Sequence, residues 1–340
     1  MLDYIIWNAQ PEIIEGFRVR WYGLLFAVGF FVSYTFLGKI FKKEGLQQKE
    51  LDNFTFMTFI LLIAGLRLGH CLFYEPAEYL ANPIRILFVW EGGLASHGGA
   101  IGLLLSFYLF TRKTGKSFVW IASRAAVVIP FTAACVRMGN LMNSEIYGIA
   151  TQLPWGFVYV RDAVLSVSPE VLTDMLIQSK LVASSMHDQL QQFMTLNAEL
   201  FSKGISYNQL QESLLKVGFV SQENISQLPH LLVKKSVLHP SHPTQIYEAF
   251  VYISLFVGLI WYYFSRVSKQ KAVSSYLILA VAFIGIFGSR FFIEFIKNNQ
   301  VEFEQTMQLN MGQLLSVPFI LAGGFFLYVF FKQRKQNNIV

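Results

Sequence analysis

Charge is scarce in this chain of 340 residues: Asp, Glu, Lys and Arg make up 14% of it, where a soluble domain carries about 25%. The shortage excludes an ordinary water-soluble domain. With 54% hydrophobic residues and a mean hydropathy of +0.45, it points to a polytopic membrane protein. Cysteine is rarer still. Cys71 and Cys135 both lie inside apolar runs, which leaves no disulfide framework. No ligand cluster has metal-binding spacing, so neither a metal nor a cofactor is expected. An internal repeat is also lacking, which weighs against inverted-repeat transporters. The net charge of +6 is largely an excess of lysine and arginine in the loops on one side, a solvated basic stripe, so nucleic acid is not an expected partner.

What the chain has in abundance is long apolar runs. Seven stretches, near 20–38, 54–74, 97–111, 119–142, 245–264, 273–296 and 312–331, reach or approach the roughly 20 residues a spanning helix needs. The third is short and flanked by glycine. The first is too long for a signal peptide and lacks a small-residue cleavage pattern, so it is expected to stay as an anchor. Residues 149–241 depart from membrane composition, with helical spacing in Val171/Met175, Leu172/Leu176 and Leu210/Leu214/Val217. The expected fold is an all-α polytopic membrane protein with seven transmembrane helices and an outer-face, largely helical insert. Its divisions are 1–148, with spans one to four; 149–241, the insert; and 242–340, with spans five to seven and a tail.

Basic residues set the orientation. Lys39, Lys42, Lys43 and Lys49 follow span one, and Arg112, Lys113 and Lys116 follow span three. Arg266, Lys269 and Lys271 follow span five, and Lys332, Arg334 and Lys335 close the chain. The opposite loops carry Glu75, Glu78, Glu91, Glu302 and Glu304. The positive-inside rule then puts the N-terminus outside and the C-terminus in the cytoplasm.

Polar residues inside the spans collect toward one side. Tyr22, Arg67, His70, His97, Arg137, Asn140, His242, Gln245, Glu248, Arg290, Glu294, Asn310 and Gln313 all fall in the outer halves. A proton or ion path would need such groups at the midplane and beyond, so a transporter of lipid or small anions is disfavoured. An arginine at a helix centre costs about 2.5–3.5 kcal/mol on insertion scales and needs a partner. Arg290 has Glu294 at i+4, so an intrahelical ion pair is one reading of it. Arg137 has no acidic residue at i±3 or i±4, which weakens a purely structural role and favours an external anion. The abundant anion of an outer leaflet is a lipid phosphate, which guanidinium matches with two parallel hydrogen bonds. Histidine as a residue type suits proton transfer near neutral pH, which makes His97 the candidate for that role, although a lone interfacial histidine is more often just a hydrogen-bonded residue.

The string Arg137-Met-Gly-Asn140-Leu-Met-Asn143-Ser-Glu145-Ile-Tyr-Gly148 closely resembles the signature of bacterial prolipoprotein diacylglyceryl transferases. So do Arg20-Trp-Tyr22-Gly, Gly92-Gly-Leu-Ala-Ser-His97-Gly-Gly, His242-Pro-Thr-Gln245-Ile-Tyr247-Glu248, Arg290-Phe-Phe-Ile-Glu294-Phe and Met311-Gly-Gln313-Leu-Leu-Ser. Only residues 149–241 fall outside the resemblance. It implies transfer of a diacylglyceryl group from phosphatidylglycerol to the lipobox cysteine of a prolipoprotein signal peptide, at the bacterial inner membrane, with glycerol phosphate released. By resemblance Arg137 corresponds to the phosphatidylglycerol-binding arginine, and Arg290 and His97 match other essential basic residues. Tyr22, Asn140, Glu145, Gly148 and Glu294 match further functional positions. Val136 and Ser144 stand where the signature often has glycine, and Ile286 stands where a functional tyrosine is often found.

Overall fold

The computed structural model describes residues 4–14, 19–88, 93, 95–161, 163–165, 167–197, 204–298, 304 and 307–337. Glu91, Gly92 and Glu302, named above, lie outside the described residues. In chain order the helices begin with α1 (Trp21–Lys43), α2 (Gln48–Phe73), α3 (Pro76–Ala81) and α4 (Ser96–Thr114). Then come α5 (Phe118–Met142), α6 (Pro169–Gln178), α7 (His187–Leu196), α8 (Tyr207–Lys216) and α9 (Leu228–Lys234). The last three are α10 (Thr244–Ser268), α11 (Ser275–Ile296) and α12 (Met311–Asn337). The chain is mostly rather than wholly helical, because two short two-stranded sheets also form.

Among the described residues six helices are long and apolar enough to cross a membrane: α1, α2, α5, α10, α11 and α12. The shortest, α11, has 22 residues, and at 1.5 Å of rise it reaches about 33 Å, against a hydrocarbon core of roughly 30 Å. Phe31, Phe56, Phe250, Trp261 and Leu321 on these helices are well exposed, as suits side chains that face lipid rather than water. This is a multi-pass membrane protein. The 19-residue α4 covers the third apolar run but falls short in apolar character. The helix α11 contains a π turn at Ile284–Gly288, which includes Ile286 and ends just before Arg290.

The chain forms two compact units. One comprises Ala27–Cys135, Phe250–Ser289 and Leu315–Val340. Within it α2 and α4 cross with backbones in contact: a Cβ on Gly98 would lie 2.1 Å from the Gly65 carbonyl oxygen, and one on Gly102 would lie 2.1 Å from that of Leu61. Small residues permit this approach, and membrane helices rely on such close packing because lipid supplies no hydrophobic drive between them. Early in α5, the buried Arg124 donates from Nε to Glu44 Oε1 at 2.9 Å and from Nη1 to Ser275 Oγ at 2.6 Å. Trp120 Nε1 and the Tyr263 hydroxyl also donate to the Glu44 carboxylate. Buried charge is therefore not confined to one end of the spans. The sequence reading missed Arg124 because Glu44 lies past the end of the first apolar run, at no helical spacing from it.

The other unit comprises Met1–Phe26, Val136–Ala249 and Arg290–Leu314. Its largest core is built by residues 158–238, with Leu172, Leu176, Leu190, Met194, Leu210, Leu214, Leu228 and Leu232 fully buried. Periodicity marked most of this face, but Val171 and Val217 are exposed. Val217 caps the end of α8 instead of lying on its buried stripe. The helices start where their sequences direct: Ser168 accepts the Val171 amide with Pro169 following, and Ser206 and Gln209 make a capping box for α8. Strand β1 (Ile5–Trp7) pairs in parallel with β2 (Phe157–Tyr159), in the register Ile5↔Phe157 and Trp7↔Tyr159. Strand β3 (Val164–Leu165) runs antiparallel to β4 (Ile205–Ser206).

Candidate functional site

The last turn of α5 leaves backbone carbonyls without helical partners. The small β1–β2 sheet places two donors beside them. Trp7 Nε1 donates to the Leu141 carbonyl at 2.9 Å, and the Arg161 guanidinium donates to the carbonyls of Met142 and Asn143. A cation at a helix C-terminus also complements the helix dipole. The end of the helix that carries Arg137 and Asn140 is thereby fixed.

Beyond it the backbone turns through Ser144, with φ of 56°, and Ile146, with φ of 62°. Both angles lie in the left-handed region that favours glycine, so the turn is strained on either side of Glu145. The chain then passes Gly148, where a Cβ would meet the Ile296 carbonyl oxygen at 2.3 Å and His242 Cβ at 2.7 Å. The Gly148 amide donates to the His242 carbonyl, the Ile149 amide to that of Ile296, and Gln245 Nε2 to that of Glu145. Only glycine fits this passage between the start of α10 and the end of α11.

These constraints bring together side chains that are distant in sequence. Arg137 Nε lies 2.7 Å from Glu248 Oε2, and Glu248 Oε1 lies 3.5 Å from Lys297 Nζ. Lys297 Nζ is 3.0 Å from Glu294 Oε1, which is in turn 3.5 Å from Arg290 Nε. The result is a chain of five alternating charges, cationic at both ends, with one net positive charge. Its centre is closed to solvent, with the side chains of Glu248 and Lys297 at 0% and 1% exposure; its ends are more open, with Arg137 at 14% and Arg290 at 35%. Removing charges from water is expensive unless each is paired, and the alternation supplies that pairing.

The terminal arginines keep donors in reserve. A guanidinium has five N–H groups. Arg137 uses one on Asn140 Oδ1 at 3.2 Å, and its approach to Glu248 is an ion pair without an aligned hydrogen bond. Among the described residues Arg290 donates no hydrogen bond at all, because its contact with Glu294 is close but misaligned. Glu145 is held differently: its Oε1 accepts from Asn140 Nδ2 at 2.8 Å and from Asn143 Nδ2 at 3.1 Å. Glu294 also accepts from Asn310 Nδ2 at 3.2 Å, and its carboxylate occupies the space a Cβ on Gly312 would need. The Tyr22 ring lies against Gly139.

Of the residues expected from sequence, Tyr22, Arg137, Asn140, Glu145, Gly148, Arg290 and Glu294 thus belong to one unit, and the charge network joins several of them. His97 belongs to the other unit. It is exposed in the first turn of α4, against the rings of Phe73 and Tyr74, with no hydrogen bond among the described residues. Arg67 and His70 do not pair with each other: Arg67 donates to the carbonyls of Arg85 and Ile86, and His70 meets Glu75 at 3.3 Å. Glu248 was marked among the outer polar residues but not as the partner of Arg137, and Lys297 was not marked at all. Its position three residues after Glu294, on the last turn of a span, was the available signal. Two groups just outside the helices are perturbed by burial: it lowers the pKa of His242 from the ordinary 6.5 and raises that of Tyr159. No group of three or more His, Cys, Asp and Glu among the described residues has metal-binding geometry. Each end of the network presents a partly open guanidinium group.

The family model described as prolipoprotein diacylglyceryl transferase matches residues 11–329. Among similar curated proteins is one of Porphyromonas gingivalis, 36% identical over 94% of this chain and 92% of its own length. Another, of Tolumonas auensis, is 34% identical over 94% and 95%. A third, of Bacteroides fragilis, is 31% identical over 98% of both chains. All three are named phosphatidylglycerol–prolipoprotein diacylglyceryl transferase.

Proposed function

The chain belongs to the prolipoprotein diacylglyceryl transferase family, and on that premise we propose that its buried charge network holds the phosphate of the lipid substrate while a thiol displaces it. The protein is a membrane-embedded transferase of lipoprotein biosynthesis, moving the diacylglyceryl group of phosphatidylglycerol to prolipoproteins. The observation that carries the site assignment is the sequence Arg137–Glu248–Lys297–Glu294–Arg290, with one net positive charge and unused guanidinium donors at its ends. A phosphodiester carries one negative charge and offers acceptor oxygens to both ends.

The acceptor is the thiol of a lipobox cysteine in the signal peptide. Its sulfur bonds to the glyceryl carbon that carries the phosphate ester, the carbon–oxygen bond breaks with its electron pair, and glycerol phosphate leaves. The thiol gives up its proton to a base, a role for which the sequence alone offers His97. Arg137 and Arg290 offset the charge that grows on the departing phosphate, an interaction that is strongest in the transition state. Tyr22, Asn140, Glu145, Gly148 and Glu294 shape the lipid site around them.

The same reading makes α4 a seventh crossing and residues 149–241 an outer-face head between 1–148 and 242–340. Lys42 and Lys43 end α1, Arg112 and Lys113 end α4, Arg266 ends α10, and Arg334 and Lys335 end α12. By the positive-inside rule these ends are cytoplasmic, the N-terminus is outside, and the site faces the outer leaflet of the bacterial inner membrane. The test is incubation of the purified enzyme with labelled phosphatidylglycerol and a lipobox peptide. Wild type transfers the label and releases glycerol phosphate, while Arg137→Ala and Arg290→Ala do not. Full transfer by either variant overturns the assigned site.

A further inference from the structure

We infer that Lys297 is a positioning residue for lipid phosphate: it holds the carboxylates of Glu248 and Glu294 so that the two arginines they orient keep their donors free for the ligand. The inference rests on the phosphate-binding role given to Arg137 and Arg290. The Lys297 side chain is 1% exposed, so its ammonium does not meet a headgroup directly; it acts through the carboxylates at 3.5 and 3.0 Å. Those carboxylates contact Arg137 and Arg290 respectively. Each carboxylate therefore lies between the central ammonium and one terminal guanidinium. The ammonium draws on the Oε1 atoms of both, and this competition limits how far either carboxylate can take up its arginine.

The backbone joins the same unit. Lys297 forms a bridge with Gly148, and Asn298 Nδ2 donates to the Gly148 carbonyl at 3.0 Å. Lys297 thus connects the signature turn to both carboxylates. A neutral side chain of similar length leaves two buried carboxylates facing two arginines with no third cation between them. The net charge of the network falls from one to zero, and each carboxylate turns fully onto its arginine and competes with phosphate.

The experiment uses the full-length enzyme in detergent with phosphatidylglycerol and a lipobox peptide, and compares wild type, Lys297→Met and Lys297→Arg. Lys297→Met raises KM for phosphatidylglycerol about tenfold or more, as loss of a partner that orients a binding group does. KM for the peptide stays within about twofold, and Lys297→Arg restores the lipid KM to within about threefold, since it returns the charge. An unchanged lipid KM in Lys297→Met overturns the inference, as do equal rises for both substrates or failure of Lys297→Arg to rescue. Lys297→Gln carries the same comparison should Lys297→Met not fold. Failure of wild type to transfer lipid would instead overturn the phosphate-site reading itself.

Discussion

Arg137 and Glu248 meet at 2.7 Å from two different helices, and the glutamate is closed to solvent while the arginine is not. This asymmetry separates stability from chemistry along the network. Glu248→Gln breaks a buried pair on both sides and is expected to cost about 3–5 kcal/mol of stability. Arg290→Gln breaks only the open end and is expected to cost less than about 1 kcal/mol, yet to abolish transfer. Thermal denaturation in detergent, run beside the transfer assay, checks both. Equal destabilisation by the two changes would contradict the burial argument.

Ser144 combines a φ of 56° with a buried hydroxyl that finds no partner among the described residues. Glycine removes both penalties and adds back some unfolded-chain entropy, so Ser144→Gly is expected to stabilise the protein by about 0.5–1 kcal/mol. A lower melting temperature for the variant would show that the serine contributes something the static contacts do not contain.

Two glycines on long helices should respond in opposite ways to alanine. At Gly98 the new Cβ lies 2.1 Å from the Gly65 carbonyl oxygen, so α2 and α4 must separate, at a cost of about 1–3 kcal/mol. At Gly258 an added Cβ would meet no atom of another element within 4 Å among the described residues, and alanine gains about 0.5–1 kcal/mol from helix propensity. Melting temperatures of Gly98→Ala and Gly258→Ala test the contrast directly.

Burial lowers the pKa of His242 below 6.5. The folded state therefore binds this proton more weakly than the unfolded chain does. Its contribution to stability is complete above the unfolded value and is lost as pH falls through 6.5 toward the lowered folded value. In His242→Gln that part of the acid-side decline disappears, which melting curves between neutral and mildly acidic pH will reveal. An identical pH dependence in the variant would remove His242 as the cause.

Much of this was legible in the sequence because the signals were local. Apolar runs near membrane thickness marked the long helices, and the Arg137–Gly148 string marked side chains that the structure brings together. The leucines at 172, 176, 210 and 214 announced a packed core in a polar segment. What stayed hidden was set by pairing between distant segments. Glu248 neutralises Arg137 across 111 positions of sequence, and no periodicity carries that information. Lys297 went unmarked, because a single basic residue at the end of a span usually reaches for water; only the neighbouring carboxylates turn it inward. Arg124 was overlooked for the same reason, its partner Glu44 lying in a different run. The two small sheets escaped because strands of two or three residues leave no alternation to read.

The parallel pairing of Ile5–Trp7 with Phe157–Tyr159 has a consequence in time. A bacterial ribosome adds about 5–20 residues per second, so the first strand waits many seconds after its emergence for its mate. Until then Trp7 has no Leu141 carbonyl to meet, and the end of the helix bearing Arg137 stays uncapped. The turn that follows α5 is thus finished only after residues 157–159 have been made. A bulky fusion at the extreme N-terminus would act on this late step, slowing maturation of the enzyme without touching any residue that contacts substrate.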